Sequence, residues 1–124
     1  MLNKVSEVSK SLFLFAIFLF VVGLVNSLLA SSSYADEFAC TPSNTAVFSS
    51  RVHVKCVESV AGIQYFAAST DDDAHVARVL SVISTATVAG RPMFIFFDPS
   101  DTSGSAIGCQ VSDCRLIQGI GFWK

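Results

Sequence analysis

Residues 51–97 read RVHVKCVESVAGIQYFAASTDDDAHVARVLSVISTATVAGRPMFIFF, and the changes of rhythm within them decide the fold. From Ala46 to Val57 the chain alternates: Val52, Val54 and Cys56 point one way, while Arg51, His53 and Lys55 point the other. Period two predicts a strand with one wet face. Glu58 to Gly62 reads as a short turn, and Ile63 to Ala68 as a second strand in which Gln64 and Phe66 alternate with Ile63, Tyr65 and Ala67. So short a connection predicts an antiparallel hairpin. The rhythm then becomes helical. Ser69-Thr70-Asp71-Asp72-Asp73 offers hydroxyl and carboxylate acceptors for the free amides of a first turn, with negative charge at the positive end of the helix dipole. Val76, Val79, Leu80, Ile83 and Ala86 recur at steps of three and four, giving one apolar face. Arg78, Ser81, Ser84 and Thr85 give a small polar one. Gly90 stops the helix and Arg91-Pro92 turns the chain. Met93 to Phe97 is apolar on both faces, which predicts a strand covered on both sides.

Outward from this segment the signals weaken. Asp36 to Thr45 is polar, carries Pro42 and reads as an entry arm tied down by Cys40. Ser100 to Gly108 reads as a flexible loop, Cys109 to Cys114 as a pinched loop, and Arg115 to Trp123 as a last strand. The order strand, strand, helix, strand, strand predicts a small α+β, mainly β domain in which one helix covers an antiparallel sheet or barrel. No internal repeat is visible.

The N-terminal third has a different composition. Lys4 and Lys10 lie in a polar head, Leu12 to Val25 is an almost unbroken apolar run, and Ser33 and Ala35 occupy the small-residue positions of a cleavage site. This is the order of a secretory signal peptide, residues 1–35, cut after Ala35. The competing reading is a retained anchor over Ser11–Ala30, but Asn26 and Ser27 shorten its strictly apolar part. Residues 36–124 would then form a single domain that is secreted or periplasmic, in contact with the membrane only through the transient signal. That portion carries nine acidic and six Lys/Arg residues, a net charge of −3. It has no basic run of the kind nucleic-acid binding leaves. All four cysteines fall there. An even count in a short exported chain reads as a disulfide framework with three possible pairings. Local loop closure favours Cys40–Cys56 and Cys109–Cys114. Zinc fits poorly, because the Cys-x4-Cys spacing is too wide and the other two cysteines are far apart.

Few residues suggest catalysis. His53 lies on a wet strand face beside Arg51 and Lys55, and His75 lies in the first helical turn beside three aspartates. No serine sits in a strained nucleophile turn, so both histidines read as surface residues and the chain as a non-enzyme. Asp71-Asp72-Asp73 and the Asp98/Asp101/Ser103 loop lack the alternating acidic ligands of a calcium loop. Gly104 and Gly108 do not open a helix as a phosphate cradle would. No metal or cofactor is implied. The two-faced strand Met93–Phe97 and the small, flat helix face around Ser81, Ser84 and Thr85 point to a symmetric homo-oligomer. The strand's alternative is cover by the chain's own helix and loop.

Phe48-Ser49 before a strand, Tyr65-Phe66 in the next, the Ala/Val/Leu helix, Gly90-Arg91-Pro92 and the strand Met93–Asp98 follow one another in an order that resembles the receptor-binding B subunits of the subtilase cytotoxin and its pertussis-like relatives. The likeness extends over most of Phe48 to Phe122. It implies an OB-like domain, a ring of five subunits, a sialylated glycan as ligand and a separate exported toxic subunit. It also implies that Ser49, which matches the serine of the family's Phe-Ser string, contacts the sugar. The loops here are shorter, and the Cys109–Cys114 pair lies elsewhere than in that family. Sugar sites pair an aromatic platform with hydrogen-bonding groups, a role open to Tyr65, which reads equally as a core residue. The expected function is a small exported glycan-binding module. The alternatives are an accessory cell-envelope protein without a small ligand, and a small periplasmic hydrolase built on His53 or His75.

Overall fold

A computed structural model describes residues 35–123 of the 124-residue chain. The signal peptide expected over residues 1–35 falls outside this range, Ala35 apart. The described residues form a small α+β domain with one α-helix and two sheets. The strands are β1 (Asp36–Cys40), β2 (Pro42–Val47), β3 (Arg51–Val60), β4 (Ile63–Ser69), β5 (Met93–Phe97), β6 (Cys114–Leu116) and β7 (Gly119–Gly121). The helix α1 spans Asp73–Ala89, and a 3-10 turn spans Ser103–Ile107. The strands order as β1-β5-β7 and as β2-β3-β4-β6, two separate sheets rather than one closed barrel.

From Arg51 the alternating segment folds as its rhythm requires; the strand expected from Ala46 is instead interrupted by a bend over residues 48–50, and Ala46 and Val47 end β2. Val52, Val54 and Cys56 are buried, while Arg51, His53 and Lys55 are half-buried on the outer face. Lys55 pairs with Tyr65 and Val60 with Ile63, so the hairpin is antiparallel with an irregularity between those pairs. The expected turn over Glu58–Gly62 contracts to Ala61 and Gly62, with φ of 49° and 81°. A two-residue turn with two positive φ angles matches the strand twist, which lets β3 run on to Val60.

α1 begins at Asp72, whose Oδ1 accepts the His75 amide at 2.9 Å, and ends at Gly90, whose φ of 60° a side chain would strain. Its apolar face buries Val79, Ile83 and Ala86, with Val76 and Leu80 half-buried at the margin. Arg78, Ser81, Ser84 and Thr85 stay exposed. Full burial of a residue such as Ile83 contributes roughly 1.5–3 kcal/mol. The main core lies beneath this face. Phe66 packs edge-on to Phe97 at 5.0 Å and stacks on Phe38 at 5.6 Å, among Met93, Ile95 and Val54.

Four expectations need correction. The segment Asp36–Thr45 is not an arm: it forms β1 and most of β2. β1 pairs along its whole length with the apolar β5, and that partner orders a stretch whose own composition is polar. The last strand is two short strands. The chain leaves β4 after β6 and joins β5 as β7, so residues 114–121 change sheets around Ile117–Gln118, as residues 36–47 do at Thr41. The pairing is not wholly antiparallel, because β6 runs parallel to β4. The element order is therefore β-β-β-β-α-β-β-β, not β-β-α-β-β. Both favoured disulfides are present, with Cα separations of 5.2 Å for Cys40–Cys56 and 5.3 Å for Cys109–Cys114. The first ties the end of β1 to β3, and so one sheet to the other.

Candidate functional site

On the outer face of the four-stranded sheet, Arg51, His53 and Tyr65 form one wall of a cleft of about 290 Å³. Gly108, Gln110, Asp113 and the Cys109–Cys114 bridge form the other. Alternation places the first wall. Every second residue of β3 faces outward, and the hairpin register brings Tyr65 opposite Lys55, next to His53 on the same face. The second wall is laid over β4 by residues 103–114. Beneath it a small second core of Ala67, Cys109 and Cys114 is joined by Tyr65, Ile107 and Leu116.

Hydrogen bonds clamp that wall to the sheet. The Ile107 carbonyl accepts from Ser50 Oγ at 3.1 Å and from Arg51 Nη1 at 2.7 Å. The Asp113 carbonyl accepts the Gln64 and Tyr65 amides at 2.9 and 3.0 Å. Arg115 gathers the loop by donating to the carbonyls of Pro99, Val111 and Cys114. Gly108 is needed where it stands. Its φ is 88°, and a Cβ there would collide with the Arg51 guanidinium.

The first wall is an aromatic row edged by cations. His53 lies between Phe48, at 5.1 Å, and Tyr65, at 5.6 Å between ring centroids. The Arg51 guanidinium caps Phe48 at 4.2 Å and Lys55 Nζ stands 5.6 Å from the Tyr65 ring. Both distances are in the range where cations are attracted to ring faces. Partial burial, reinforced by the Arg51 charge, holds the His53 pKa below its ordinary 6.5.

Of the two residues singled out for ligand binding, Tyr65 lines the cleft and Ser49 does not. Ser49 is exposed in the bend between β2 and β3, where its carbonyl accepts from Thr70 Oγ1 at 2.8 Å. Its neighbour Phe48 reaches His53, so the bend borders the aromatic row without entering the cleft. His75 is in the first turn of α1, away from this row. Asp98 and Asp101 close local turns, accepting from Ser100 and Ser103, and those hydrogen bonds hold both carboxyls below their ordinary range. Among the described residues no group of three or more His, Cys, Asp or Glu side chains is placed to hold a metal ion, and no helix is long and apolar enough to cross a membrane.

Sequence reading missed Arg51, Gln110 and Asp113 as cleft residues and treated His53 as plain surface. An aromatic on one strand opposite a cation on the next was the available signal for the first wall. Nothing local pointed to the second, because it arrives from more than forty residues away in sequence. Compared with family models, with curated proteins and with solved structures, the chain gives no match.

Proposed function

We propose that this chain is a small exported, non-enzymatic binding module that takes a glycan in the cleft beside Tyr65. One observation carries the reading: the outer face of a sheet presents an aromatic row, Phe48, His53 and Tyr65, within reach of Arg51, Gln110 and Asp113. A pyranose ring needs an apolar ring face on one side and donors and acceptors at its rim, and a cleft of this kind supplies both. His53 packs against rings, an environment better suited to contact than to passing a proton to a nucleophile, so the hydrolase reading is the weaker one. The export assignment draws support from the two disulfides, bonds that persist in oxidising compartments.

The finer OB-like architecture belongs to the same proposal. If each sheet-changing run is counted as one bent strand shared by the two sheets, five strands can be counted, although the sheets do not close into one barrel. Their order is β1/β2, β3, β4, β6/β7 and β5, and β5 pairs back onto β1. The helix lies between the third and fourth of these in the chain, and the third and last are parallel. That connectivity favours a toxin B-subunit-like scaffold, with Ser49 at the margin of the site and a separate exported subunit as partner. A glycan array probed with the purified protein tests the binding reading. Enrichment on any glycan class, lost on Tyr65→Ala, supports it; no enrichment on any glycan removes it.

One observation favours a second reading, an accessory envelope protein that uses a contact with another exported protein. The outer face of β5 and β7 is apolar: Phe94 meets Trp123 edge-on at 5.6 Å, beside Phe96 and Phe122 around a hollow of about 90 Å³. Light scattering separates the two. A pentamer accords with the toxin-like module, and a clean monomer with an accessory chain.

A further inference from the structure

Arg51, His53 and Lys55 stand in a row on the outer face of β3, separated by the buried Val52 and Val54. Every element packed around the His53 ring can be named. Its own strand supplies the cations Arg51 and Lys55. The bend before it supplies Phe48 and the neighbouring β2 the uncharged Ala46. β4 supplies Tyr65 and Ala67, and across the shared cleft the opposite wall carries Gln110 and Asp113. One cation, Arg51, and one carboxylate, Asp113, thus line the cleft with His53, and Lys55 stands beside the Tyr65 ring at its edge. A proton on His53 adds a positive charge to the cleft, and its two flanking rings present faces and edges that can accommodate an imidazolium.

We propose that His53 is a proton-operated gate on this cleft, tightening its hold on acidic glycans, those bearing carboxylate or sulfate groups, as the surroundings become acidic. The proposal rests on the glycan-binding reading above. Histidine is the side chain whose ordinary titration range is crossed between about pH 7.5 and 5.5. Burial and Arg51 keep His53 neutral to lower pH than usual, so the cleft, lined by Arg51 and Asp113, gains its net positive charge only in acid. A bound anion favours that proton, and by linkage the proton favours the anion. One added charge about 6 Å from an anion, at a surface dielectric and physiological salt, tightens binding by roughly three- to ten-fold.

Calorimetry on the full protein at pH 7.5 and 5.5 and constant ionic strength tests the gate with three probes: a sulfated heparin hexasaccharide, a galacturonate hexamer carrying carboxylates alone, and neutral chitohexaose. The expected result is binding of one or both acidic probes that strengthens three- to ten-fold at pH 5.5; which of them responds tells sulfate from carboxylate. Chitohexaose should show no such gain. His53→Gln should bring the ratio of the two affinities close to one. His53→Lys, which carries its charge at both pH values, should do the same while binding acidic probes more tightly than His53→Gln does. Equal affinity at both pH values, a gain of the same size for chitohexaose, or a pH gain that survives in His53→Gln overturns the gate and leaves the glycan reading standing. If none of the probes binds at either pH and the array is blank, both fail together.

Discussion

Alternation leaves Arg51, His53, Lys55 and Tyr65 outside the four-stranded sheet, and Phe94 and Phe96 outside the three-stranded one. The inward residues are interchangeable in kind: Val52, Val54 and Cys56 on one strand, Met93, Ile95 and Phe97 on the other, all buried. The outward residues are not. A charged, aromatic face is roofed at one side by residues 103–114 and keeps an open polar cleft. An apolar face is met by the end of the chain, where Trp123 folds against Phe94 and Gly119 leaves room for the Phe96 ring. Period two thus decides which side chains stay out. Their chemistry then decides whether a face keeps an open polar cleft or packs against apolar side chains from the end of the chain.

The comparison would collapse most completely if the layer beneath both faces were removed. Phe66, on the four-stranded sheet, is fully buried and touches Phe38 and Phe97, both on the three-stranded one. Phe66→Ala should cost about 3–5 kcal/mol, read as a fall in the urea midpoint, with both faces lost together.

The disulfides divide the comparison unequally. Cys40–Cys56 spans 16 residues and joins the two sheets, whereas Cys109–Cys114 spans five and lies in the cleft wall alone. Replacing the first pair with serine should cost about 3 kcal/mol and the second about 2 kcal/mol on loop-closure entropy. Only the second should raise amide exchange in residues 103–114 more than in β5, as measured by hydrogen exchange. Equal exchange in the two regions would mean that the wall is held by its hydrogen bonds rather than by the bridge.

Exchanging chemistry between the faces should move stability little and function much. Tyr65→Ser should change stability by roughly 1 kcal/mol while removing glycan enrichment. Phe94→Ser together with Trp123→Ser should leave enrichment in place and lower any concentration-dependent mass seen by light scattering. An inverted result would mean that the two faces have been assigned the wrong roles.

The smallest effect is electrostatic. His53 has a folded pKa below its ordinary 6.5, from burial first and from Arg51 second. A base whose folded pKa is depressed takes its proton more readily when unfolded. Its contribution to stability is therefore full above about pH 6.5 and is lost as pH falls from there through the folded value. Between pH 7.5 and 5.5 the melting temperature should fall slightly, and less so in His53→Gln. An acidic glycan bound in the cleft should reverse the trend.

The two faces were unequally legible. Arg51, His53 and Lys55 sit on an alternating strand flanked by buried valines, and Tyr65 on a strand one short turn away, so the first wall of the cleft could be placed by local rules. Gln110 and Asp113 could not. They line the cleft with His53 because Ile107 is hydrogen-bonded to Ser50 and Arg51, and because β6 pairs in parallel with β4, contacts made across about fifty residues of chain. Ser49 was named through a family likeness, and its backbone, not its side chain, makes the contact observed there.

What the sequence alone determined was local. It indicated an alternating strand through Arg51–Cys56, a helix opening within residues 69–73 and stopped at Gly90, the apolar strand Met93–Phe97, and a preference for short-loop cysteine pairs. Each of these depends on neighbours within a few residues, where side-chain periodicity and capping leave a readable mark. Only the tertiary structure decided that the polar residues 36–47 become strands and that the final segment splits between two sheets. It also decided that residues 103–114 roof the cleft. A polar segment acquires strand structure from its partner's backbone, and backbone hydrogen bonds carry no trace in side-chain order.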